Sequence, residues 1–243
     1  MKQMLDKIEE KILQRIDADR EQIISFAEDI AAHPEPGFEE IRTSQKAAQF
    51  LKNLGYEVTE HLVRTGVRGD KKITDGPNLT VIGELDAIGC KSHPMADSVT
   101  GVAHACGHHA QMAGVFGAAL ALTVPEIAEK LDGQVVFFAT PAEEYGEIEF
   151  KNQLREQGKI RYGGGKCELL RIGAFDDIDL CLTHHIRPGN EILVGSGTGN
   201  GFVMTGKEIC WKKENWSILS PPSLRRSIIW FPVECPRRSI NTL

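Results

Sequence analysis

Three short, nearly continuous apolar runs constrain the fold of this chain more than any other feature of its sequence. They cover residues 79–85, 135–139 and 178–182. A strand is apolar along its whole length when both of its faces are covered, which is typical of parallel sheets in α/β proteins. Segments with helical character separate the runs, at residues 110–122 and near residues 167–172. The sequence therefore predicts an α/β fold, a mostly parallel sheet with helices on both faces.

The N-terminal quarter of the chain continues this alternation. Residues 2–32 carry apolar side chains at close to helical spacing, which predicts one long helix or two abutting helices. The Pro- and Gly-containing segment 33–37 ends them. A second helix is expected over residues 39–54, with Gly55 after its last turn. Alternating residues at 56–63 predict a strand.

Composition and charge exclude several classes of protein. The chain has 243 residues, 41% apolar and 26% charged, the proportions of a soluble globular protein. Its net charge of −6 argues against nucleic acid and anionic membranes as partners. It has no run of about 18 apolar residues and no secretory signal at the N-terminus, so we expect a cytoplasmic protein. Its six cysteines form no CxxC pair, which favours free thiols or a metal ligand.

The last 39 residues differ in composition from the rest. All three tryptophans and four of the eleven prolines lie in residues 205–243. The net charge of this segment is +4, against −10 for residues 1–204. We therefore predict a boundary, with a partial catalytic domain over 1–204 and an atypical tail over 205–243 to which no fold is assigned.

A cluster of a thiol and imidazoles lies in the sequence HACGHH at residues 104–109. Thiolate and imidazole ligands together suit zinc and neighbouring divalent metals. Cys106 and His108 share a face if the segment is extended, so the two side chains can bind one ion. The alternative is a glycine-containing turn whose histidines only cap the following helix or form hydrogen bonds.

Polar residues follow each of the three apolar runs. Asp86 comes after the first run, Glu143 and Glu144 after the second, and His184 and His185 after the third. Open α/β sheets bind ligands at the carboxyl ends of their strands, so these groups are expected to converge on one crevice. The alternative for adjacent carboxylates at a turn is simple exposure to solvent.

Paired carboxylates next to a metal site suit the hydrolysis of an amide. The reaction needs an activated water, a base that takes its proton and an electrophile that polarises the carbonyl. One carboxylate can hold the metal while the other moves the proton. Asp86 is expected to orient a ligating imidazole, and its alternative role is to cap the turn after Ile88. The segment 163–166, GGGK, lacks the Walker spacing and its Ser or Thr, so we interpret it as a loop before a helix.

Three motifs carry a resemblance to a known family. They are GELDA at 83–87, HACGHH at 104–109 and PAEE at 141–144. In this order and spacing the chain resembles the dinuclear metallopeptidases that include aminoacylases, carboxypeptidase G, p-aminobenzoyl-glutamate hydrolases and auxin-conjugate amidohydrolases. It is most similar to the amidohydrolase branch, which uses Cys where other members have Asp. The resemblance extends from about residue 20 to Met204.

The resemblance implies a role for each site residue. The implied metal ligands are Cys106, His108, Glu144 and His184. Glu143 would be the general base, and Asp86 would orient the site. His185 is the alternative to His184, because adjacent histidines leave the alignment uncertain by one position. The cofactor implied is a divalent metal, Zn with Mn or Co as alternatives, with two ions in an intact site.

The chain also departs from the family pattern. His109 and Gln111 stand where the branch commonly has Asp and His, which implies a different substrate preference. The family fold is a catalytic domain interrupted by a smaller lid domain that also forms the homodimer and precedes a last metal-binding His. Residues 205–243 show neither. We therefore hypothesise a chain truncated before the lid domain, with a tail from a shifted reading frame or a foreign segment.

The function expected from the resemblance is metal-dependent hydrolysis of N-acyl amino acids or related amides, with a small-molecule substrate and with activity impaired by truncation. One alternative is a non-catalytic fragment or pseudoenzyme that retains partial metal binding. Another is a structural zinc protein that uses Cys106, His108 and a further thiol.

Overall fold

Helices and strands alternate along the chain. The computed structural model describes residues 2–186 and four short strands farther on, at residues 195–197, 204–205, 208–209 and 228–230. The helices are α1 Lys2–Ala18, α2 Arg20–Ala32, α3 Ile41–Asn53, α4 His108–Ala121, α5 Pro125–Ala128, α6 Ile148–Glu156 and α7 Gly165–Arg171. The strands are β1 Glu57–Leu62, β2 Gly66–Lys72, β3 Asn78–Glu84, β4 Ile88–Gly89, β5 Val102–Ala103, β6 Gln134–Thr140, β7 Leu180–Thr183, β8 Gly195–Gly197, β9 Met204–Thr205, β10 Glu208–Ile209 and β11 Ile228–Trp230.

Seven of these strands form one sheet, in the order β1-β2-β6-β3-β7-β11-β8. The central strands β6, β3, β7 and β11 run parallel to one another. Antiparallel strands flank them, with β2 and β1 on one side and β8 on the other. The three predicted apolar runs are thus neighbours in the centre of the sheet.

Strand β6 buries side chains on both faces, which explains its continuous apolar character. On one face of β6, Phe137 packs in a cluster with residues of α2, α3 and α4. On the other face Phe138 packs with Leu169 of α7 and with Phe175. The prediction of an α/β sheet with helices on both faces is confirmed.

The predicted elements agree with the structure to within two residues at most boundaries. The helical pattern over 2–32 is two helices that meet at Asp19, and α2 ends where the segment 33–37 begins. Strands β2, β4 and β5 and helices α5 and α6 were not predicted, and neither were the short strands after β7. In β2, Gly, Asp and Lys residues are unfavourable for strands, but pairing with β6 over six residues overrides that preference.

The composition boundary at residue 205 stays a prediction. Most of residues 205–243 lie outside the described part of the chain, as do residues 187–194. Within the tail, the backbone of β11 pairs with β7 in parallel, and β10 pairs with β9. Among the helices that the structure describes, none is both long enough and apolar enough to cross a lipid bilayer.

Candidate active site

The parallel strands deliver three polar segments to the same edge of the sheet. Glu84, the last residue of β3, pairs with Thr140 at the end of β6. Ile82 of β3 pairs with Thr183 at the end of β7. Because parallel strands end at a common edge, the segments 85–87, 141–144 and 184–186 lie side by side. The predicted convergence of strand ends is what the structure shows.

The HACGHH segment reaches this edge through a sharp turn. Gly107 has a φ of 91°, in the left-handed region that favours glycine, and α4 begins at the next residue. A Cβ atom at Gly107 would lie 3.2 Å from Cδ1 of Ile186. The turn therefore closes against the end of β7 and places Cys106 and His108 beside the polar segments.

His108 is completely buried and is held by Asp86. Its Nδ1 lies 2.8 Å from the backbone oxygen of Asp86 and 3.2 Å from Oδ1 of the same residue. Nδ1 is thus the donor, and Nε2 faces Glu84 Oε2 at 3.0 Å and Glu143 Oε2 at 3.8 Å. Burial opposes a charged imidazole, but contacts with Asp86, Cys106 and Glu84 outweigh it and raise the pKa of His108 well above its usual range.

Cys106 and His185 meet across the site. Sγ of Cys106 lies 3.3 Å from Nε2 of His185, whose Nδ1 lies 2.7 Å from the backbone oxygen of Ile186. That oxygen can only accept, so Nδ1 carries the proton and Nε2 presents its lone pair to the thiol. Burial raises the pKa of Cys106, and the thiol also contacts the side chains of His108 and Glu144. One ligand atom each from Cys106, His108 and His185 lies within 4.8 Å of the others.

His184 does not join this group. Its ring packs against α4, where a Cβ atom at Gly114 would lie 2.4 Å from His184 Nε2. Its backbone oxygen accepts a hydrogen bond of 2.6 Å from Nε2 of Gln111, and burial lowers the pKa of the imidazole. Successive residues of an extended segment point to opposite sides, so a shift of one position decides which histidine faces the site. The structure places His185 there, and not His184, the residue that the resemblance implies first.

Two carboxylates form a second group around His108. Glu84, His108 and Glu143 each offer an atom within 4.8 Å of the others. Lys166 forms an ion pair with Glu84, and its Nζ lies 3.7 Å from Oε1 of Glu143. Burial disfavours a charged Glu84, but Lys166 and His108 outweigh burial and hold the pKa of Glu84 well below its usual range. Burial, and then the charge of Glu84, raise the pKa of Glu143 to about 7.

Asp86 links both halves of the site. Its Oδ2 accepts a hydrogen bond of 2.8 Å from the backbone N–H of Glu144, and its Oδ1 faces Nδ1 of His108. This is the position expected of a carboxylate that orients a ligating imidazole. The roles assigned to Asp86, Glu143 and Glu144 stay predictions, but all three residues lie at the common edge of the sheet.

A buried acid supports the turn that carries Glu143. Ala142 has a φ of 45°, a conformation that costs energy for a residue with a side chain. Its N–H donates a hydrogen bond of 2.7 Å to Oε1 of Glu40, and Thr65 donates one of 2.5 Å to Oε2. Burial, and then the charge of Asp86, raise the pKa of Glu40 to about 8. Glu40 thus holds the backbone that precedes the acidic pair.

The other histidines of the HACGHH segment lie apart from the group. The rings of His104 and His109 are 5.5 Å apart, and neither nitrogen of His104 has a hydrogen-bond partner among the described residues. Burial, and then the neighbouring His109, lower the pKa of His104 to about 3. The cluster that the sequence presents as one unit is therefore divided, with Cys106 and His108 facing the site.

The arrangement fits a divalent metal ion. Nε2 of His108 is buried and forms no well-aligned hydrogen bond in the described part of the chain, although Oε2 of Glu84 lies 3.0 Å from it. A thiol and two imidazoles next to carboxylates are the ligand types that divalent transition metals prefer. Buried polar atoms normally have partners, so an ion bound at Nε2 of His108 would supply the partner that this nitrogen lacks.

Comparison with known proteins agrees with this geometry. Peptidase family M20/M25/M40 matches residues 81–200, a range that begins in β3 and includes all the site residues described except Glu40 and Thr65. This part of the chain belongs to the M20 peptidase family. The family assignment expected from the GELDA, HACGHH and PAEE motifs is confirmed.

Individual M20 relatives are similar over the same part of the chain. The N-acetylcysteine deacetylase of Bacillus subtilis (strain 168) is 32% identical over 127 residues, which are 50% of this chain and 33% of the relative. One subunit of the p-aminobenzoyl-glutamate hydrolase of Escherichia coli (strain K12) is 29% identical over 178 residues, 70% of this chain and 33% of the relative.

A solved M20 structure shares the fold. A dinuclear metal-binding M20 peptidase of Bacillus subtilis is 26% identical, with a TM-score of 0.59. The match covers 77% of this chain and 48% of that one. The chain thus spans about a third of the length of the two curated relatives and about half of the solved structure.

Sequence reasoning missed the contacts that three residues make in this M20 site. Glu84 lies inside the GELDA motif, and a charged residue at the end of an apolar run was the available signal. Lys166 belongs to the GGGK segment, which is a loop only up to Gly164, because Gly165 and Lys166 begin α7. Gln111 joins the ends of two strands, with Oε1 accepting from the N–H of Glu84 at 2.8 Å and Nε2 donating to His184.

Proposed function

We propose that this chain carries the metal-binding part of an amidohydrolase that acts on N-acyl amino acids or related amides. The observation that carries the proposal is the position of Glu143. Its side chain is about one third exposed, and its oxygens lie 3.8 Å from Nε2 of His108 and 3.7 Å from Nζ of Lys166. A substrate can reach this carboxylate without unfolding any part of the site.

The ligands proposed for the metal are Cys106, His108 and His185, with Glu144 beside the thiol. Two imidazoles and a thiolate favour zinc over harder cations such as magnesium. When bound, the ion supplies Lewis-acid polarisation of the substrate carbonyl and increases the acidity of water. Asp86 fixes the tautomer of His108, so that Nε2 is the ligand atom.

Glu143 is the proton carrier in this proposal. Its carboxylate takes a proton from the attacking water and returns it to the leaving nitrogen. A pKa of about 7 suits both steps, because a group that titrates near neutral pH both accepts and releases a proton readily. The ammonium of Lys166 keeps a positive charge next to the ionised form of Glu143.

The substrate class rests on the relatives, whose names give an N-acetylated amino acid and an aroyl-glutamate. Both compounds contain an amide bond next to an amino acid carboxylate. We propose the same class for this chain, as a small-molecule substrate.

The test is turnover of N-acetylcysteine and of p-aminobenzoyl-glutamate by the full chain supplied with Zn²⁺. Hydrolysis is expected, and Glu143→Gln is expected to lower kcat by about 100-fold or more, the usual contribution of a general base. Glu149→Gln, at an exposed position of α6, is the matched control and should leave kcat unchanged. Absence of turnover, or equal rates in the two variants, would overturn the proposal and leave non-catalytic metal binding as the function.

A further inference from the structure

The two groups of candidate ligands share one residue. Cys106, His108 and His185 form the first group, and Glu84, His108 and Glu143 form the second. Nδ1 of His108 is occupied by Asp86, which leaves Nε2 as the one ligand atom of His108. A single nitrogen lone pair binds one ion, so the ion that His108 holds belongs to one group or to the other.

The second group already contains a cation. Lys166 is paired with Glu84, which is buried, and its Nζ lies 3.7 Å from Glu143. The lysine is anchored through its backbone, because the N–H of Gly165 donates a hydrogen bond of 2.9 Å to the oxygen of Ala142. The first turn of α7 is therefore tied to the segment that carries Glu143, and the ammonium lies within ion-pair distance of both carboxylates.

A divalent ion in the second group would have to displace this ammonium. The incoming ion would become the new partner of Glu84, but the ammonium of Lys166, about one third exposed, would lose its ion pair. Binding a metal at Glu84 and Glu143 would separate Lys166 from both carboxylates, whereas an ion at Cys106 and His185 leaves that pair intact. The ion pair of Lys166 thus disfavours metal binding in the second group and leaves metal binding in the first group unaffected.

We propose that the ammonium of Lys166 is the resident cation of Glu84 and Glu143, and that it directs the metal to Cys106, His108 and His185. The inference rests on the metal centre of the proposed function. Lys166 is a positioning residue, which keeps Glu143 free of metal and available for proton transfer. Any second ion would then use ligands other than Glu84 and Glu143.

The first test measures metal affinity in the full chain, with Zn²⁺ in competition with a chelator and with Co²⁺ by absorption. Cys106→Ser should lose the thiolate-to-cobalt charge-transfer band and at least about tenfold in affinity, since even residues behind a metal ligand contribute that much. Glu84→Gln should keep both the band and the wild-type affinity. If Glu84→Gln loses as much affinity as Cys106→Ser, Glu84 is a ligand and the proposal is overturned.

The second test removes the ammonium of Lys166 from the second group of candidate ligands. Cys106→Ser combined with Lys166→Met should regain about tenfold or more in Zn²⁺ affinity over Cys106→Ser alone, because Glu84, His108 and Glu143 are then available. Cys106→Ser with Lys159→Met, an exposed lysine before α7, is the matched control and should regain nothing. If both double variants fold and bind Zn²⁺ with equal affinity, the proposal is wrong. If the Lys166→Met variant does not fold, the Zn²⁺ affinity of Glu84→Gln in the first test decides.

These measurements need no substrate, so they separate this inference from the proposed function. The expected pattern of affinities without turnover refutes the proposed function alone. Turnover together with loss of metal affinity in Glu84→Gln refutes the role of Lys166 alone. A wild-type chain that binds no metal overturns both.

Discussion

Sγ of Cys106 lies 3.3 Å from Nε2 of His185, although 79 residues separate them in the chain. One comes from the turn before α4 and the other from the segment after β7. The contact forms because the turn at Gly107 packs directly on Ile186, the neighbour of His185. The candidate metal site therefore depends on how α4 is seated at the edge of the sheet.

The two adjacent histidines should separate by function. His185→Ala is expected to weaken Zn²⁺ binding by at least about tenfold, because it removes a proposed ligand. His184→Ala is expected to keep the affinity and lower the thermal midpoint, because its buried ring packs on α4. Equilibrium binding and thermal unfolding of both variants test this. The opposite assignment, with affinity lost only in His184→Ala, would return the ligand role to His184.

Asp86 should affect metal binding without being a ligand. Asp86→Ala removes the carboxylate that faces Nδ1 of His108 and bonds the N–H of Glu144. Partners of this kind contribute about 10- to 100-fold to metal affinity, and we expect a loss in that range. Asp75→Ala, at an exposed turn, is the control. Zn²⁺ affinity is measured by competition with a chelator. Equal affinities in Asp86→Ala and Asp75→Ala would show that Asp86 does not support metal binding.

Gln111 should act through stability. Gln111→Leu leaves the N–H of Glu84 and the backbone oxygen of His184 without partners. Each unsatisfied buried group costs about 1–3 kcal/mol, so the free energy of unfolding should fall by about 2 kcal/mol or more. Urea unfolding of wild type and variant measures the loss. A Gln111→Leu variant with the same free energy of unfolding as the wild type would refute this prediction.

The close approach of His184 to α4 predicts coupling between two substitutions. Gly114→Ala would place a Cβ atom 2.4 Å from Nε2 of His184, and such overpacking costs about 1–3 kcal/mol. In the His184→Ala background the obstacle is gone, so Gly114→Ala should cost little or stabilise the helix. A double-mutant cycle from urea unfolding measures the difference. Additive effects would show that the two residues do not touch.

Glu40 should make stability depend on pH. Its pKa is raised to about 8 in the folded protein from an ordinary value of 4.5, so between these values the folded state holds a proton that the unfolded state has released. The stabilisation is complete below about pH 4.5 and is lost as the pH rises through about 8. Glu40→Gln keeps the acceptor for the N–H of Ala142 and can donate to the hydroxyl of Thr65 in place of accepting from it. It should flatten this dependence, whereas exposed Glu39→Gln should not. The measurement is the free energy of unfolding of both variants between about pH 4.5 and 8. If that free energy depends on pH with the same slope in Glu40→Gln and Glu39→Gln, the prediction is wrong.

The sequence by itself determined the central strands of the sheet and the edge at which the site residues lie. The run that became β6 is apolar because both faces of that strand are covered, and the runs that became β3 and β7 lie next to one another beside it. Such runs are visible without a structure. The positions of the polar residues Asp86 and Glu143 after these strands are also visible in the sequence, because the apolar runs stop just before them. The family motifs lie at those ends, so fold and family were both accessible from local pattern.

Only the tertiary structure decided which side chains meet. His184 and His185 are equivalent in the sequence, and the pleat of one extended segment against α4 separates them. Lys166 reaches Glu84 because the first turn of α7 is tied to Ala142. Glu40 supports Ala142 from the start of α3, 102 residues away in the chain. Contacts of this kind depend on the exact placement of distant elements. Local residue patterns predict which strand ends share an edge, but they do not determine which side chains touch there.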